Sequence, residues 1–281
     1  MIPQEFDYSA PATLNEALQL IADGERKVLA GGMSLVPLMK LRLASPEHIV
    51  DIARVPDLNH ISESGGVIHI GATATHHDIE ISPVIRGRCP LLAEAASHIG
   101  DTQVRNMGTI GGSIAHADPA ADYPASLLAL EAKIRLVSAK SDRTVAAADF
   151  FLDPFTTPVE PGEIVLEILV NSEEPSEGYR YEKLPHPASG FAVVGVATRI
   201  KKSGSKISLA RIGVTGMAPR AFRATEAEKI LESGGDIAKA AAAVAQGQEA
   251  NADLYASADY RRHLARVWAE RALTIALSRA S

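Results

Sequence analysis

Two glycine-rich segments constrain this chain more than any other feature. The first is Ala30-Gly-Gly-Met-Ser-Leu35. Its first residue, Ala30, ends the apolar run 27–30, which we predict to be a strand. The second is QVRNMGTIGGSIAHADPAADY, residues 103–123. Because glycine has no Cβ, Gly111 and Gly112 let the chain turn with positive φ and bring backbone N–H groups close to a ligand.

The residues around the second glycine pair favour an anion as that ligand. Thr109 and Ser113 flank the pair with hydroxyls. The run that follows has the features of a helix start, with Asp118 or Asp122 as the cap and a proline for the first turn. Since a helix N-terminus carries positive partial charge, the segment is typical of a phosphate site. In the alternative interpretation both glycine pairs are ordinary turns.

Neither familiar phosphate-binding motif is present. The first segment lacks the third glycine of G-x-G-x-x-G, and no G-K-[ST] of a P-loop occurs in the chain. What remains is a turn whose backbone amides and Ser34 hydroxyl can hold phosphate oxygens.

Composition narrows the class of protein. With 281 residues, 46% of them hydrophobic, the chain can bury a large core divided over two or three domains. Its 28 basic and 34 acidic residues are interspersed, which argues against nucleic acid or an anionic membrane as a partner. No apolar run suits a membrane span and the N-terminus lacks signal-peptide features, so we expect a cytoplasmic protein.

The single cysteine, Cys89, excludes an internal disulfide and is interpreted as a small apolar filler. One cysteine also cannot supply the four thiolates that an iron–sulfur cluster usually takes. The consecutive residues His76, His77 and Asp78 point in different directions, which disfavours a metal site and favours an exposed helix start. Because no G-x-S-x-G elbow or carboxylate pair accompanies the glycine segments, we expect any chemistry to come from a bound cofactor.

The pattern of predicted elements indicates an α+β chain in three parts, residues 1–56, 57–175 and 176–281. In the first part a capping box, Thr13 with Glu16, begins a helix that stops near Gly24. In the second, a hairpin joins residues 58–61 to 67–70 through Gly65 and Gly66.

The third part follows the polar run 171–178, which we predict to be a domain boundary. Short turns separate three predicted strands, 179–184, 191–201 and 207–215, which favours an antiparallel sheet. Helical patterns at 224–233, 236–246 and 259–278 then complete a sheet with helices packed on it.

The two segments together resemble the flavin motifs of a known family. They are Ala30–Leu35 with Pro37-Leu-Met-Lys40 behind it, and Val104–Pro119 with Asp122 three residues further on. The chain is similar over essentially its whole length to the FAD-binding medium subunits of molybdenum hydroxylases, the carbon monoxide dehydrogenase and xanthine dehydrogenase group. The resemblance implies a two-part FAD-binding domain of the vanillyl-alcohol-oxidase (PCMH) type, followed by a C-terminal medium-subunit domain.

The resemblance also implies a set of FAD-binding residues and no catalytic residue. Ala30, Gly31, Gly32, Met33, Ser34 and Leu35 would wrap the diphosphate, although Met33 stands where relatives often have a polar residue. Thr109, Gly112 and Ser113 would bind phosphate and ribitol, and Asp122 the adenosine ribose. Ile99 would lie against the cofactor, Ile164 and Val165 at the adenine end, and Lys183 at the polar edge of the flavin. The alternative for Lys183 is a solvated strand residue.

Within this family the chain would act in a three-part, carbon monoxide dehydrogenase-like complex. Electrons would leave the substrate at a molybdopterin centre on a large subunit, pass two [2Fe–2S] clusters on a small subunit, and reach FAD here before an external acceptor. Two alternatives stay open: a stand-alone FAD-dependent oxidoreductase of the same flavin fold, and a non-catalytic interaction protein. The residues name neither the substrate nor the acceptor.

Overall fold

The chain forms three sheets within residues 2–174 and 176–281, which are the residues that the computed structural model describes. The first unit consists of β1 (Asp7–Ser9), α1 (Leu14–Leu20), β2 (Lys27–Leu29), α2 (Leu35–Lys40) and β3 (His48–Asp51). Its strands are parallel, in the order β1-β3-β2. Parallel neighbours need crossovers, which α1 and α2 provide.

The first helix begins and ends for local reasons. The N–H of Glu16 donates to the Thr13 hydroxyl at 3.2 Å, so the predicted cap is present. The Glu16 carboxylate accepts from the N–H of Ala12 at 2.8 Å rather than from that of Thr13, so the reciprocal half of the predicted box is displaced by one residue. The helix ends at Leu20, and a turn leads on to Gly24.

The middle unit wraps helices against a five-stranded antiparallel sheet of order β4-β5-β8-β6-β7. Its elements are β4 (Ile61–Ser64), β5 (Val67–Gly71), α3 (His76–Ile81), α4 (Pro83–Arg88), α5 (Pro90–Ser97), α6 (Thr102–Met107), α7 (Ile110–His116), α8 (Asp122–Ala129), β6 (Lys133–Val137), β7 (Asp142–Ala146), a 3₁₀ turn (Ala147–Asp149) and β8 (Ile164–Asn171). The predicted hairpin is present as β4–β5, but its first strand is Ile61–Ser64 and not residues 58–61. Gly65 and Gly66 both have positive φ, as a tight two-residue turn requires.

The third unit contains a four-stranded antiparallel sheet of order β12-β11-β10-β9. Its elements are β9 (Glu177–Pro185), β10 (Ala192–Ser203), β11 (Lys206–Thr215), β12 (Phe222–Arg223), α9 (Thr225–Glu232), α10 (Ile237–Ala243) and α11 (Ala258–Arg279). One face packs on α11 and the other on α8 of the middle unit. Because both faces are covered, β10 is buried continuously from Ala192 to Ala197.

The predicted α+β class and the antiparallel C-terminal sheet with its helices are confirmed. The domain boundaries after residues 56 and 175 stay predictions, and residue 175 lies outside the described part of the chain. Among residues 2–174 and 176–281, no helix is both long and apolar enough to cross a bilayer.

Candidate functional site

A cavity of about 930 Å³ lies where the three units meet. Its walls contain every residue predicted to bind the cofactor except Lys183: Ala30, Gly31, Gly32, Met33, Ser34, Leu35, Ile99, Thr109, Gly112, Ser113, Asp122, Ile164 and Val165. They also contain residues that were not predicted to bind the cofactor, among them His76, Phe155 and the hairpin tip 189–191. The individual roles stay predictions, but these residues line one cavity.

The two glycine segments touch each other at this cavity. A Cβ built on Gly31 would lie 1.9 Å from the carbonyl oxygen of Met107 and 2.8 Å from the Cα of Gly108. On the other side, a Cβ on Gly112 would lie 4.0 Å from the Cβ of Ala30. Segments far apart in the sequence therefore form one wall, and the closeness of their backbones requires glycine at position 31.

The first segment presents a run of unpaired backbone amides. Within the described chain, no hydrogen bond is formed by the N–H groups of Gly31, Gly32, Met33, Ser34 and Leu35. These five residues line the cavity, and Gly32 has a φ of +73°. Ser34 precedes α2 without capping it through its side chain, so its hydroxyl is free as well. Successive N–H groups without a protein acceptor in such a turn form an anion-binding concavity.

The second segment differs from its prediction. Gly111 and Gly112 lie in the first turn of α7, not in a turn of positive φ. Their amides have protein acceptors: Gly111 N–H donates to Ala72 O at 2.9 Å, and Gly112 N–H to the Thr109 hydroxyl at 3.1 Å. The prediction that they turn with positive φ and offer amides to a phosphate is therefore wrong. Gly111 instead permits close packing, because its Cβ would lie 2.5 Å from that of Ala72.

What the second segment offers a ligand is side-chain hydroxyl groups. Thr109 uses its oxygen to accept from Gly112 and keeps its own proton to donate. Ser113 also lines the cavity. The site therefore combines backbone donors on one side with hydroxyls on the other.

The predicted cap of α8 is also wrong. The N-cap residue is Ala121, which has no side-chain oxygen, and Asp118 accepts from the N–H of Ala120 instead. Asp122 is the first residue of α8 and is 4% exposed. Its Oδ1 accepts from the Tyr181 hydroxyl at 2.6 Å and lies 2.8 Å from Lys183 Nζ. Burial raises the pKa of the Asp122 carboxyl, and the ammonium group of Lys183 opposes that shift.

This pair corrects two expectations. The alternative of a solvated Lys183 is wrong, because its side chain is 2% exposed. The resemblance also implies that Asp122 binds the adenosine ribose and Lys183 the flavin, which lie on opposite sides of the diphosphate in FAD. Side chains whose charged atoms are 2.8 Å apart cannot reach both groups of an extended FAD, so the two roles cannot both hold.

His76 was predicted to be an exposed residue at a helix start, and it is 4% exposed. The helix does start here, because Thr75 and Asp78 form a reciprocal capping box. The Nδ1 of His76 lies 3.2 Å from the Tyr123 hydroxyl, and the ring lines the cavity. Burial lowers the pKa of His76 to about 4. Recognising Thr75-x-x-Asp78 as the box would have put His76 on the same inward face as Ile79.

Neutral His76 should make stability depend on pH. The pKa of His76 is about 4 in the folded protein and about 6.5 in the unfolded chain, so the unfolded chain binds the proton first as the pH falls. Its contribution is present above pH 6.5, and we expect the free energy of unfolding to drop by about 2 kcal/mol between pH 7 and pH 5. Urea denaturation should show that the loss of stability between pH 7 and pH 5 is about 2 kcal/mol smaller in His76→Gln than in the parent. An equal drop in both proteins would mean that folded His76 accepts the proton.

Comparison with known proteins decides the family. Residues 4–171 match the family model of the "FAD binding domain in molybdopterin dehydrogenase", and residues 179–276 match that of the "CO dehydrogenase flavoprotein C-terminal domain". The chain belongs to the flavoprotein medium-subunit family of the molybdenum hydroxylases. Its cofactor is FAD, as the resemblance implied, and it is an oxidoreductase subunit.

Relatives in this family match over most or all of their length. The carbon monoxide dehydrogenase medium chain of Hydrogenophaga pseudoflava is 42% identical over 99% of both chains. The glyceraldehyde dehydrogenase medium chain of Sulfolobus acidocaldarius is 43% identical over 82% of both. A solved structure of the Hydrogenophaga pseudoflava carbon monoxide dehydrogenase, which lacks the Mo-pyranopterin moiety, superposes with a TM-score of 0.96 over 100% of both chains.

The cavity of this medium-subunit family member fits FAD. Its volume is within the range of cofactor sites, about 300–1,000 Å³. The unpaired amides suit a diphosphate, and Ile99, Ile164 and Val165 give it apolar walls for rings.

Proposed function

We propose that this chain is the flavoprotein subunit of a molybdenum hydroxylase complex, taking electrons from the [2Fe–2S] clusters of a small subunit onto FAD and passing them to an external acceptor. The observation that carries FAD binding is the run of five unpaired amides, Gly31 to Leu35, at the wall of a cofactor-sized cavity. With one cysteine, the chain cannot supply a four-thiolate cluster, so the clusters belong to a partner.

We infer a division of the cavity among the parts of FAD. The amides of residues 31–35 and the Ser34 hydroxyl hold the diphosphate, with Thr109 and Ser113 on the facing wall. Ile164, packed in the core of the first unit, lies with Val165 at the adenine end. The other end, with Ile99 and the third unit's hairpin tip, takes the flavin ring. On this arrangement Asp122 lies near the flavin and not the ribose.

The chain's own contribution is to bind and orient the cofactor. FAD supplies the redox chemistry when bound. The cavity residues hold it in one position, keep its ring against apolar walls and shield it from water at the buried end. No side chain needs to act as an acid or base.

The substrate belongs to another subunit in this proposal. Relatives of nearly equal identity are named for carbon monoxide and for glyceraldehyde, so similarity of this subunit does not select a substrate. A large molybdopterin subunit would carry the substrate site, and the complex would work in the cytoplasm. The carbon monoxide dehydrogenase-like assignment rests on the match over 99% of both chains.

Affinity purification from the native host tests the assembly. We expect the tagged chain to bring down a cysteine-rich small chain containing iron and a large chain containing molybdenum, with one FAD per tagged chain. Recovery of a yellow monomer alone would favour the stand-alone oxidoreductase. A colourless protein that gains no flavin spectrum with excess FAD would contradict both.

Replacing Ser34 by alanine should have a modest effect, because the amides carry the diphosphate. Loss of one hydroxyl donor costs about 1 kcal/mol, so we expect FAD to bind roughly fivefold more weakly. Titration of the FAD-free protein measures the dissociation constant, and Ser203→Ala, at the exposed end of β10, is the control. A loss above about 100-fold would show that the side chain dominates.

A further inference from the structure

Glu163 is a buried carboxylate whose oxygens are fully used by the protein. It directly precedes β8, and its side chain is 3% exposed. From Arg143 on β7, Nε donates to Glu163 Oε1 at 2.8 Å and Nη2 donates to Oε2 at 2.7 Å. The N–H of Glu160 donates to Oε2 at 2.9 Å, and the Ser141 hydroxyl donates to Oε1 at 3.3 Å. A carboxylate has about four acceptor sites, so these donors leave none for a ligand.

These bonds fix one loop of the cavity wall, residues 157–163. Every residue of the loop except Pro158 lines the cavity. Arg143 Nη2 also donates to the Pro158 carbonyl oxygen at 2.6 Å, near the start of the loop. Glu160 and Glu163 bond to each other's side near its end, where the Glu163 N–H donates to Glu160 O at 3.0 Å. One ion pair therefore holds both ends of a segment that belongs to no helix or strand.

The 157–163 loop packs tightly against the first unit. A Cβ built on Gly24 would lie 2.4 Å from the Cβ of Pro161 and 3.3 Å from its Cα. A Cβ on Gly162 would lie 3.3 Å from the carbonyl oxygen of Ile21. Both glycines have positive φ, as this close approach requires. Gly24 begins the lining segment 24–30, so the position of the loop sets the width of the cavity between the first and middle units.

This part of the cavity is the proposed adenosine end, because the 157–163 loop runs directly into Ile164 and Val165. The two-pronged bond between Arg143 and Glu163 fixes direction as well as distance, which a single hydrogen bond does not. Arg143 is 34% exposed, so water can solvate its charge if Glu163 is neutralised. Loss of the pair should therefore loosen the loop without unfolding the protein.

We propose that Glu163 is a positioning residue for the adenosine of FAD, which together with Arg143 holds the 157–163 loop against the turn at Gly24. The proposal rests on the proposed location of the adenosine. A wall that is already ordered spares the cofactor the entropic cost of ordering it on binding. The effect of Glu163 on FAD passes through the loop, since its own oxygens are occupied.

The test compares three ligands of the FAD-free full chain: FAD, ADP, which lacks the flavin, and FMN, which lacks the adenosine. We expect Glu163→Gln to bind FAD and ADP more weakly by the same factor, on the order of 10-fold, and FMN as the parent does. Asp142→Asn is the control, because it breaks a two-pronged pair with Arg135 beside Arg143 on β7, and Asp142 does not line the cavity. It should bind all three ligands as the parent does.

A second variant guards against loss of the fold. Arg143→Lys keeps the positive charge but cannot form two parallel bonds, so it should show the same pattern as Glu163→Gln. Unchanged ADP affinity in both variants would overturn the proposal. Equal losses for FAD, ADP and FMN would mean that the pair supports the whole cavity and not its adenosine end, and would overturn it as well. A parent that binds none of the three ligands would contradict the proposed function itself.

Discussion

Replacing Gly31 by alanine is expected to abolish retention of FAD during purification. The added Cβ would lie 1.9 Å from the carbonyl oxygen of Met107 and 2.7 Å from its carbon. Both are backbone atoms, so the two segments must move apart and the amide run must shift. Overpacking of this kind costs about 3 kcal/mol, equivalent to about 100-fold in affinity. Flavin content and FAD titration measure the effect.

The matched control is another glycine-to-alanine change. Gly87 lies inside α4, and a Cβ there would have no atom within 4 Å. Alanine is favoured over glycine in a helix by about 1 kcal/mol, so Gly87→Ala should retain FAD and be slightly more stable. Parental FAD affinity in Gly31→Ala would show that the contact between the segments is not needed for binding.

Replacing Asp122 by alanine is expected to lower the free energy of unfolding of the FAD-free protein by about 3–5 kcal/mol. The variant leaves the Lys183 ammonium group buried without its anion, and it removes the acceptor of the Tyr181 hydroxyl. Urea denaturation followed by far-UV circular dichroism measures the change.

An exposed aspartate serves as the comparison. Asp259 is 97% exposed and pairs with Arg262 at 2.9 Å. Because solvent screens such pairs, Asp259→Ala should change stability by less than about 1 kcal/mol. If Asp122→Ala also lowered the free energy of unfolding by less than about 1 kcal/mol, the buried pair of Asp122 and Lys183 would not stabilise the fold.

Elements with a local signal were predictable from the sequence. The Thr13 cap of α1 and the turn chemistry of Gly65 and Gly66 depend on neighbouring residues alone, and both predictions are confirmed. The missed strands are short or polar: β1 has the sequence DYS, and β7 reads DRTVA. Such strands are defined by the partner they pair with, which a local pattern does not contain.

The site was predictable as a set of residues, but the state of its hydrogen-bonding groups was not. The amides of Gly111 and Gly112 looked available, but both have acceptors in the folded chain. The acceptor of Gly112 is the neighbouring Thr109, whereas the acceptor of Gly111 is Ala72, on the segment between β5 and α3. The alternative of a solvated Lys183 stayed open in the sequence because the acceptors of its side chain lie on α8 and on the loop after α5. Burial and bonding of this kind arise from tertiary contacts between segments distant in the sequence.

A crystal structure of the purified protein with FAD bound tests most directly whether the first glycine segment holds the diphosphate. We expect the diphosphate oxygens within about 3 Å of several N–H groups of residues 31–35, with Thr109 and Ser113 on the facing wall. A diphosphate bound elsewhere, with those five amides hydrated, would contradict the proposed site.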